Sequence, residues 1–129
     1  LKKSNFKALK LDQKINLEKS LTFGQRVSGH FIQGHVDTVA VIKKVDFIDK
    51  TWVLKFKISD KRLNKFLTEK ASISINGVSL TIGKVENNTF FIYIIPHTLK
   101  LTNLINLKQN NVVNIEFDLF NKYLIEISK

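Results

Sequence analysis

The sequence of 129 residues contains no cysteine, which excludes disulfide bonds, cysteine-ligated metals and thiol redox chemistry. Its apolar runs are far too short to cross a bilayer, so no membrane partner is expected. No stretch has the pattern of a secretory signal. Together these absences favour a cytoplasmic protein.

Arginine is scarce, with only Arg26 and Arg62 in the chain, although the formal net charge is +10. The other positive charges are lysines spread along the whole sequence. Nucleic-acid-binding surfaces typically combine clustered basic residues with aromatic side chains or a recognition helix, and neither pattern is visible here. We therefore expect no nucleic-acid partner, and a small nucleic-acid-binding barrel stays open only as an alternative that the charge suggests.

Methionine is also absent, so Leu1 is not a natural start, and we expect a processed chain or a fragment. An internal repeat favours the fragment, because residues 1–21 recur as residues 99–119 at an offset of 98 without a gap. That period is too long for a solenoid and fits two copies of a small domain, with chance similarity as the alternative. The identical pairs are Leu1/Leu99, Lys2/Lys100, Asn5/Asn103, Leu9/Leu107, Lys10/Lys108, Asn16/Asn114, Glu18/Glu116 and Leu21/Leu119.

The most informative stretch that is present is a predicted hairpin over residues 70–83. Apolar and polar residues alternate up to Asn76-Gly77, a dipeptide typical of a tight turn. Beyond the turn, Ser79 and Thr81 project to one side of the strand, while Leu80 and its next apolar neighbour face the core. Two hydroxyls beside a glycine turn suit a flat, hydrogen-bonding ligand, and the alternative is an ordinary hairpin with a solvated face.

The chain as a whole reads as short strands separated by turns. Residues 59–60 can cap a short helix over residues 61–67, and residues 102–107 read as a helical loop. Strands of this length and spacing predict an all-β fold, either a sandwich or, as the length favours, a six-stranded antiparallel barrel with short helices. The predicted strands are residues 36–47, 51–58, the two arms of the hairpin, 83–86, 89–95 and 112–119.

Two histidines, His30 and His35, lie in a glycine-containing stretch that reads as a strand. Residues five apart in a strand point to opposite faces, so these two do not share a metal ion. No third ligand lies nearby in the sequence, and we expect no metal site.

Four motifs in the order of the family resemble riboflavin synthase, a homotrimeric enzyme of two tandem Greek-key barrels. They are residues 29–37, 75–81, 95–104 and 113–116. The resemblance implies four parts: the tail of a truncated first lumazine-binding barrel at 1–21, a linker at 22–28, a complete second barrel at 29–121 and the start of a C-terminal helix at 122–129. Ser28, Gln33 and Ala71 depart from residues that are usual in the family.

The resemblance also implies the reaction. Two molecules of 6,7-dimethyl-8-ribityllumazine exchange a four-carbon unit and give riboflavin and 5-amino-6-(D-ribitylamino)uracil. No metal or organic cofactor is implied, because the substrate delocalises its own carbanion. Lumazine synthase is a possible further partner. Since each site needs two barrels, we expect this chain to bind lumazine with little turnover. A non-catalytic lumazine- or flavin-binding protein is the alternative.

The implied catalytic residues are His35, Ser79 and Asp118. Imidazole exchanges protons near neutral pH, which suits His35 to acid–base work. For Asp118 an ordinary solvated carboxylate is an equal alternative. The implied substrate-binding residues are Gly34, His35, Val36, Lys70, Ser79, Leu80, Thr81, Tyr93, Ile94, Ile95, Pro96, His97 and Thr98.

Overall fold

The computed structural model describes residues 2–128 and contains one antiparallel sheet of seven strands. The prediction of an all-β fold with short helices is confirmed. The strands are β1 (Thr38–Ile48), β2 (Thr51–Ile58), β3 (Ser72–Ile75), β4 (Val78–Thr81), β5 (Val85–Glu86), β6 (Thr89–Ile94) and β7 (Val112–Phe117). The helices are α1 (Pro96–Leu101) and α2 (Leu119–Ile127), with 3-10 turns at Phe6–Ala8, Lys61–Phe66 and Asn103–Asn106.

The sheet differs from the predicted barrel in having seven strands rather than six and in not being closed by a ladder. Its order is β4-β3-β7-β1-β2-β6-β5, so β4 and β5 form the two edges. These edge strands are consecutive in the chain. Gly83 N donates to Phe91 O (2.8 Å), and Phe91 N donates to Lys84 O (2.9 Å). Residues 83–84, which connect β4 to β5, therefore bond to β6. The two edges of the sheet are joined by the chain itself and not by a ladder between them.

The core lies on one face of the sheet, where alternate residues of each strand are buried. Phe56 and Phe90 stack with their ring centroids 5.2 Å apart. Further side chains close to full burial come from five strands and from the segment after β4: Ala40, Ile42, Leu54, Ile58, Ile73, Ile75, Ile82, Ile92, Ile94, Val113, Ile115 and Phe117.

Several predicted boundaries hold because their local chemistry determines them. Asn76 (φ 48°) and Gly77 (φ 81°) form the β3–β4 turn in the left-handed region. Asp60 caps the 3-10 turn that follows β2. Pro96 ends the strand before it and begins α1, where its missing N–H is no loss. Strand β7 stops at Phe117 and α2 follows directly, so the last strand is shorter and the helix earlier than predicted.

The prediction of a strand before β1 is wrong, because residues 29–36 form no strand. We call them the strap, since they cross the outer face of the sheet. The argument that His30 and His35 point to opposite faces of a strand therefore does not apply. Residues 2–21, the tail segment, contain one 3-10 turn and likewise lie on that face.

Candidate functional site

A polar row crosses the outer face of three neighbouring strands. Ser79 on β4 pairs with Ser74 on β3, and Ser74 pairs with Glu116 on β7. These side chains point outward because the alternate positions, such as Val78 and Ile82, are buried in the core. The outward direction predicted for the hydroxyls of β4 agrees with this arrangement.

The strap crosses the polar row and is fastened at both ends. At β4, Gly29 lies so close to Ser79 that a Cβ atom there would be 2.5 Å from Ser79 Oγ. At β7, Gln33 N donates to Glu116 Oε2 (2.8 Å). Glu116 is 7% exposed, and a buried carboxylate needs such a donor. The strap thus requires glycine at residue 29 and the Glu116 carboxylate as the acceptor for the Gln33 amide.

His30 is a candidate residue that sequence reasoning missed. Its Nδ1 lies 2.7 Å from Ser79 Oγ, so the imidazole fixes the direction of this hydroxyl. Its Nε2 is buried, and no hydrogen-bond partner for it lies within residues 2–128. The available signal was its position directly after Gly29, the residue type that permits close approach to a neighbouring strand.

A second group of predicted site residues lies at the end of β4, where its pairing with β3 stops. Lys70 N donates to Ile82 O (2.8 Å), one residue beyond the exposed Thr81. The Tyr93 ring covers Gly83 directly and leaves no room for a side chain there. Tyr93 itself is 52% exposed. Lys70, Thr81 and Tyr93 therefore share one outer surface beside the polar row.

An exposed ion pair borders this surface. Lys84 Nζ lies 2.6 Å from Glu86 Oε1. The hydrogen bond from Lys84 lowers the pKa of Glu86, and the same bond raises the pKa of Lys84. Both groups are therefore held in their charged forms next to Tyr93.

Other predicted residues lie apart from these two groups. Ile94 is 1% exposed and belongs to the core, and Leu80 packs against the same core. Asp118 caps α2 by accepting from Phe120 N (3.4 Å). Thr98 lies in α1, and its carbonyl oxygen accepts from the hydroxyl of Thr102 at the end of that helix. The exposed members are His35, Ile95, Pro96 and His97. The catalytic and binding roles of all these residues stay predictions.

A cavity of about 270 Å³ lies between the strap, the tail segment and the sheet. Of the predicted binding residues, Gly34 and Val36 line it. Its polar floor consists of Ser74, Asn76, Asn114 and Glu116. Within residues 2–128, no group of three or more histidine, aspartate or glutamate side chains is placed to hold a metal ion. No helix in the same range is both long and apolar enough to cross a bilayer.

The family profile of the lumazine binding domain matches residues 33–118, which cover part of the strap and all seven strands. The chain belongs to the lumazine-binding domain family. Its relatives include the riboflavin synthases of Buchnera aphidicola subsp. Schizaphis graminum (35% identity over 98% of this chain) and Photobacterium leiognathi (36% over 99%). The riboflavin synthase of Escherichia coli K12 is 35% identical over 92% of the chain.

This lumazine-binding domain spans 61%, 58% and 55% of the length of those three relatives. Solved structures with the same fold include LumP complexed with 6,7-dimethyl-8-(1'-D-ribityl) lumazine, at a TM-score of 0.77 and 26% identity. LumP complexed with riboflavin has a TM-score of 0.78 and 28% identity. These two alignments cover 88% and 89% of this chain and 61% and 62% of the LumP chains.

Proposed function

We propose that this chain is the second lumazine-binding unit of a riboflavin synthase and that it binds 6,7-dimethyl-8-ribityllumazine and riboflavin. The observation that carries the proposal is the family match over residues 33–118. The matched range contains both the polar row and the outer surface that Lys70, Thr81 and Tyr93 share. The similarity to three riboflavin synthases favours this enzyme over a non-catalytic protein that contains the same domain.

The ligand would lie on the outer face of β4. The Ser79 hydroxyl, held by His30, and the exposed Thr81 hydroxyl lie two residues apart and can bond one flat ring edge or one ribityl chain. Backbone groups at Ile95, beyond the end of β6, can pair with an imide edge. Lys70, anchored to the end of β4 by its backbone, is the ribityl contact that we propose.

The proposed reaction is a dismutation between two lumazines. One molecule gives up a four-carbon unit and becomes 5-amino-6-(D-ribitylamino)uracil, and the other gains that unit and becomes riboflavin. A proton must leave the C7 methyl of one ring, and the ring delocalises the resulting negative charge. The protein contributes by positioning two flat rings and by assisting proton transfer. His35, exposed on the strap, is the proposed acid–base group.

We further propose that residues 1–21 are the end of a preceding lumazine-binding barrel. A complete site then needs one barrel from each of two subunits, as in the homotrimer that the family resemblance implies. On this view the 129-residue chain holds one lumazine and forms riboflavin slowly or not at all.

A non-catalytic lumazine or flavin carrier is the second candidate. The specific observation in its favour is the similarity to LumP, whose solved structures contain 6,7-dimethyl-8-ribityllumazine, riboflavin or flavin mononucleotide. A carrier uses the same outer surface without needing a proton-transfer group.

The binding proposal is tested by fluorescence titration of the 129-residue chain with 6,7-dimethyl-8-ribityllumazine. Ser79→Ala and Thr81→Ala should each weaken binding about tenfold, the usual effect of losing one hydrogen bond of about 1.4 kcal/mol. Ser59→Ala, at an exposed position after β2, is the matched control and should bind like the unchanged chain. Equal affinity for lumazine in all four proteins would show that the outer face of β4 is not the ligand-binding surface.

Catalysis is tested separately, by following riboflavin formation chromatographically in the longer protein that contains both barrels. There His35→Ala should lower the rate far more than it lowers lumazine affinity. An unchanged rate argues against His35 as the acid–base group. Absence of riboflavin from the unchanged two-barrel protein favours the carrier.

A further inference from the structure

Two successive residues of β7 bond the two ends of one short segment, residues 33–37, which we call the clamped loop. At its start, Gln33 N donates to Glu116 Oε2 (2.8 Å). At its end, Phe117 N donates to Asp37 Oδ2 (2.9 Å). The clamped loop is therefore closed on β7 at both ends, and its middle residue lies between the two attachments.

The Asp37 side chain extends the pairing of β1 with β7 by one more hydrogen bond. Thr38 lies opposite Ile115 in that ladder, and Asp37 N donates to Ile115 O (2.8 Å). Phe117 is 1% exposed, so its backbone amide needs an acceptor within the protein. The Asp37 carboxylate supplies that acceptor in place of a strand carbonyl.

The same carboxylate also binds helix α2. Lys122 Nζ lies 3.0 Å from Asp37 Oδ1 and 3.2 Å from Asp37 Oδ2. The two side chains are only 23% and 22% exposed, so water screens this pair less than a pair on the open surface. Hydrogen bonds between charged partners are also stronger than neutral ones. Lys122 therefore restrains the carboxylate on which the Phe117 amide depends.

We propose that Asp37 is a positioning residue for His35, the exposed middle residue of the clamped loop. The Asp37 carboxylate joins this loop to the end of β7, and Lys122 of α2 holds the carboxylate in place. The inference deepens the proposed function, since it rests on His35 as the acid–base group. Such a group must keep its ring within hydrogen-bond reach of the substrate, which a loop attached at one end alone would not ensure.

A second ion pair on α2 provides a matched control. Lys65 Nζ lies 2.6 Å from Glu126 Oε1 and joins α2 to a different element, the 3-10 turn Lys61–Phe66. Lys65→Met and Lys122→Met each remove one lysine from an ion pair that fastens α2. The two variants are therefore equal in charge, and only Lys122→Met removes a contact with the clamped loop.

The first experiment measures hydrogen exchange of the Gln33 and Phe117 amides in the 129-residue chain. Asp37→Ala removes the acceptor of the Phe117 amide, and Lys122→Met removes the cation that restrains this acceptor. Each variant should speed exchange of both amides about five- to tenfold. Lys65→Met should leave both rates unchanged. An unchanged Gln33 rate in Asp37→Ala overturns the proposal, and so does equal acceleration in Lys65→Met.

The second experiment measures riboflavin formation and lumazine affinity in the longer protein that contains both barrels. Asp37→Ala should lower kcat about tenfold or more through displacement of the acid–base group, while lumazine affinity stays unchanged because Ser79 and Thr81 are untouched. Asp37→Asn keeps an oxygen for the Phe117 amide and should restore most of the rate. An unchanged kcat in Asp37→Ala overturns the proposal, and so does a loss of affinity as large as the loss of rate.

This inference and the proposed function fail separately. If the unchanged two-barrel protein forms no riboflavin, the proposed enzymatic function fails. The exchange rates in the 129-residue chain then still decide whether Asp37 holds the clamped loop, since they require neither substrate nor turnover.

Discussion

His30 Nδ1 lies 2.7 Å from Ser79 Oγ, while the other ring nitrogen is buried without a hydrogen-bond partner among residues 2–128. A buried unpaired nitrogen is costly unless something else satisfies it. The imidazole therefore lies fixed against the sheet, with its one observed hydrogen bond among the described residues made to the Ser79 hydroxyl. This makes His30 a positioning residue of the proposed ligand surface.

We expect His30→Ala to weaken lumazine binding about as much as Ser79→Ala, roughly tenfold, because both variants lose the oriented hydroxyl. The double variant should then be little weaker than either single variant, since the two residues act as one unit. Fluorescence titration of the three variants measures this coupling. Additive losses would mean that the two side chains act independently.

Gly29→Ala should release the strap, because the added methyl group would collide with Ser79 and φ is +73°. The amide of Gln33, which donates to Glu116, reports this release through faster hydrogen exchange. Gly24→Ala is the matched control, since Gly24 also has a positive φ of +87° but has open space at its Cβ position. The control separates the effect of backbone strain from that of the collision with Ser79. Equal exchange rates of the Gln33 amide in both variants would argue against the contact between Gly29 and Ser79.

Glu116→Ala should destabilise the protein by about 1 kcal/mol, because the backbone amide of Gln33 loses its acceptor. Glu116→Gln keeps an oxygen at nearly the same position and should cost less. Urea unfolding of both variants gives the two free energies of unfolding. An equal loss for Glu116→Gln and Glu116→Ala would show that the negative charge, and not the acceptor oxygen alone, stabilises the strap.

The strands and turns were predictable because their signals are local. Apolar alternation placed β3 and β4, and Asn76-Gly77 fixed the turn between them by its tolerance of positive φ. The outward direction of Ser79 and Thr81 followed from the same alternation. These features depend on neighbours within a few residues.

The contacts of the strap and of the tail segment were not predictable because their partners are far away in the chain. Gln33 bonds to Glu116 across 83 residues, and Asn5 bonds to Asn114 across 109. Asn114 and Glu116 lie on the outer face of β7, yet both are buried because other segments bond to them there.

The last prediction concerns acid, where the Asp60 cap should lose its effect. Asp60 accepts from Arg62 N (3.0 Å), and its carboxylate pairs with the Arg62 guanidinium (2.8 Å). The side-chain hydrogen bond from Arg62 is the main cause that lowers the pKa of Asp60. Because the folded pKa is below the unfolded one, the stabilisation is complete above about pH 4 and disappears as pH falls through the folded value.

Asp60→Asn should therefore be less stable than the unchanged chain at pH 7, and the difference should shrink to zero as the pH approaches 2. Urea unfolding at several pH values measures it. In an Arg62→Gln background the same substitution should show a smaller pH dependence, because the main partner of the carboxylate is gone. A difference that persists unchanged to pH 2 would place the effect of Asp60 in its shape rather than its charge.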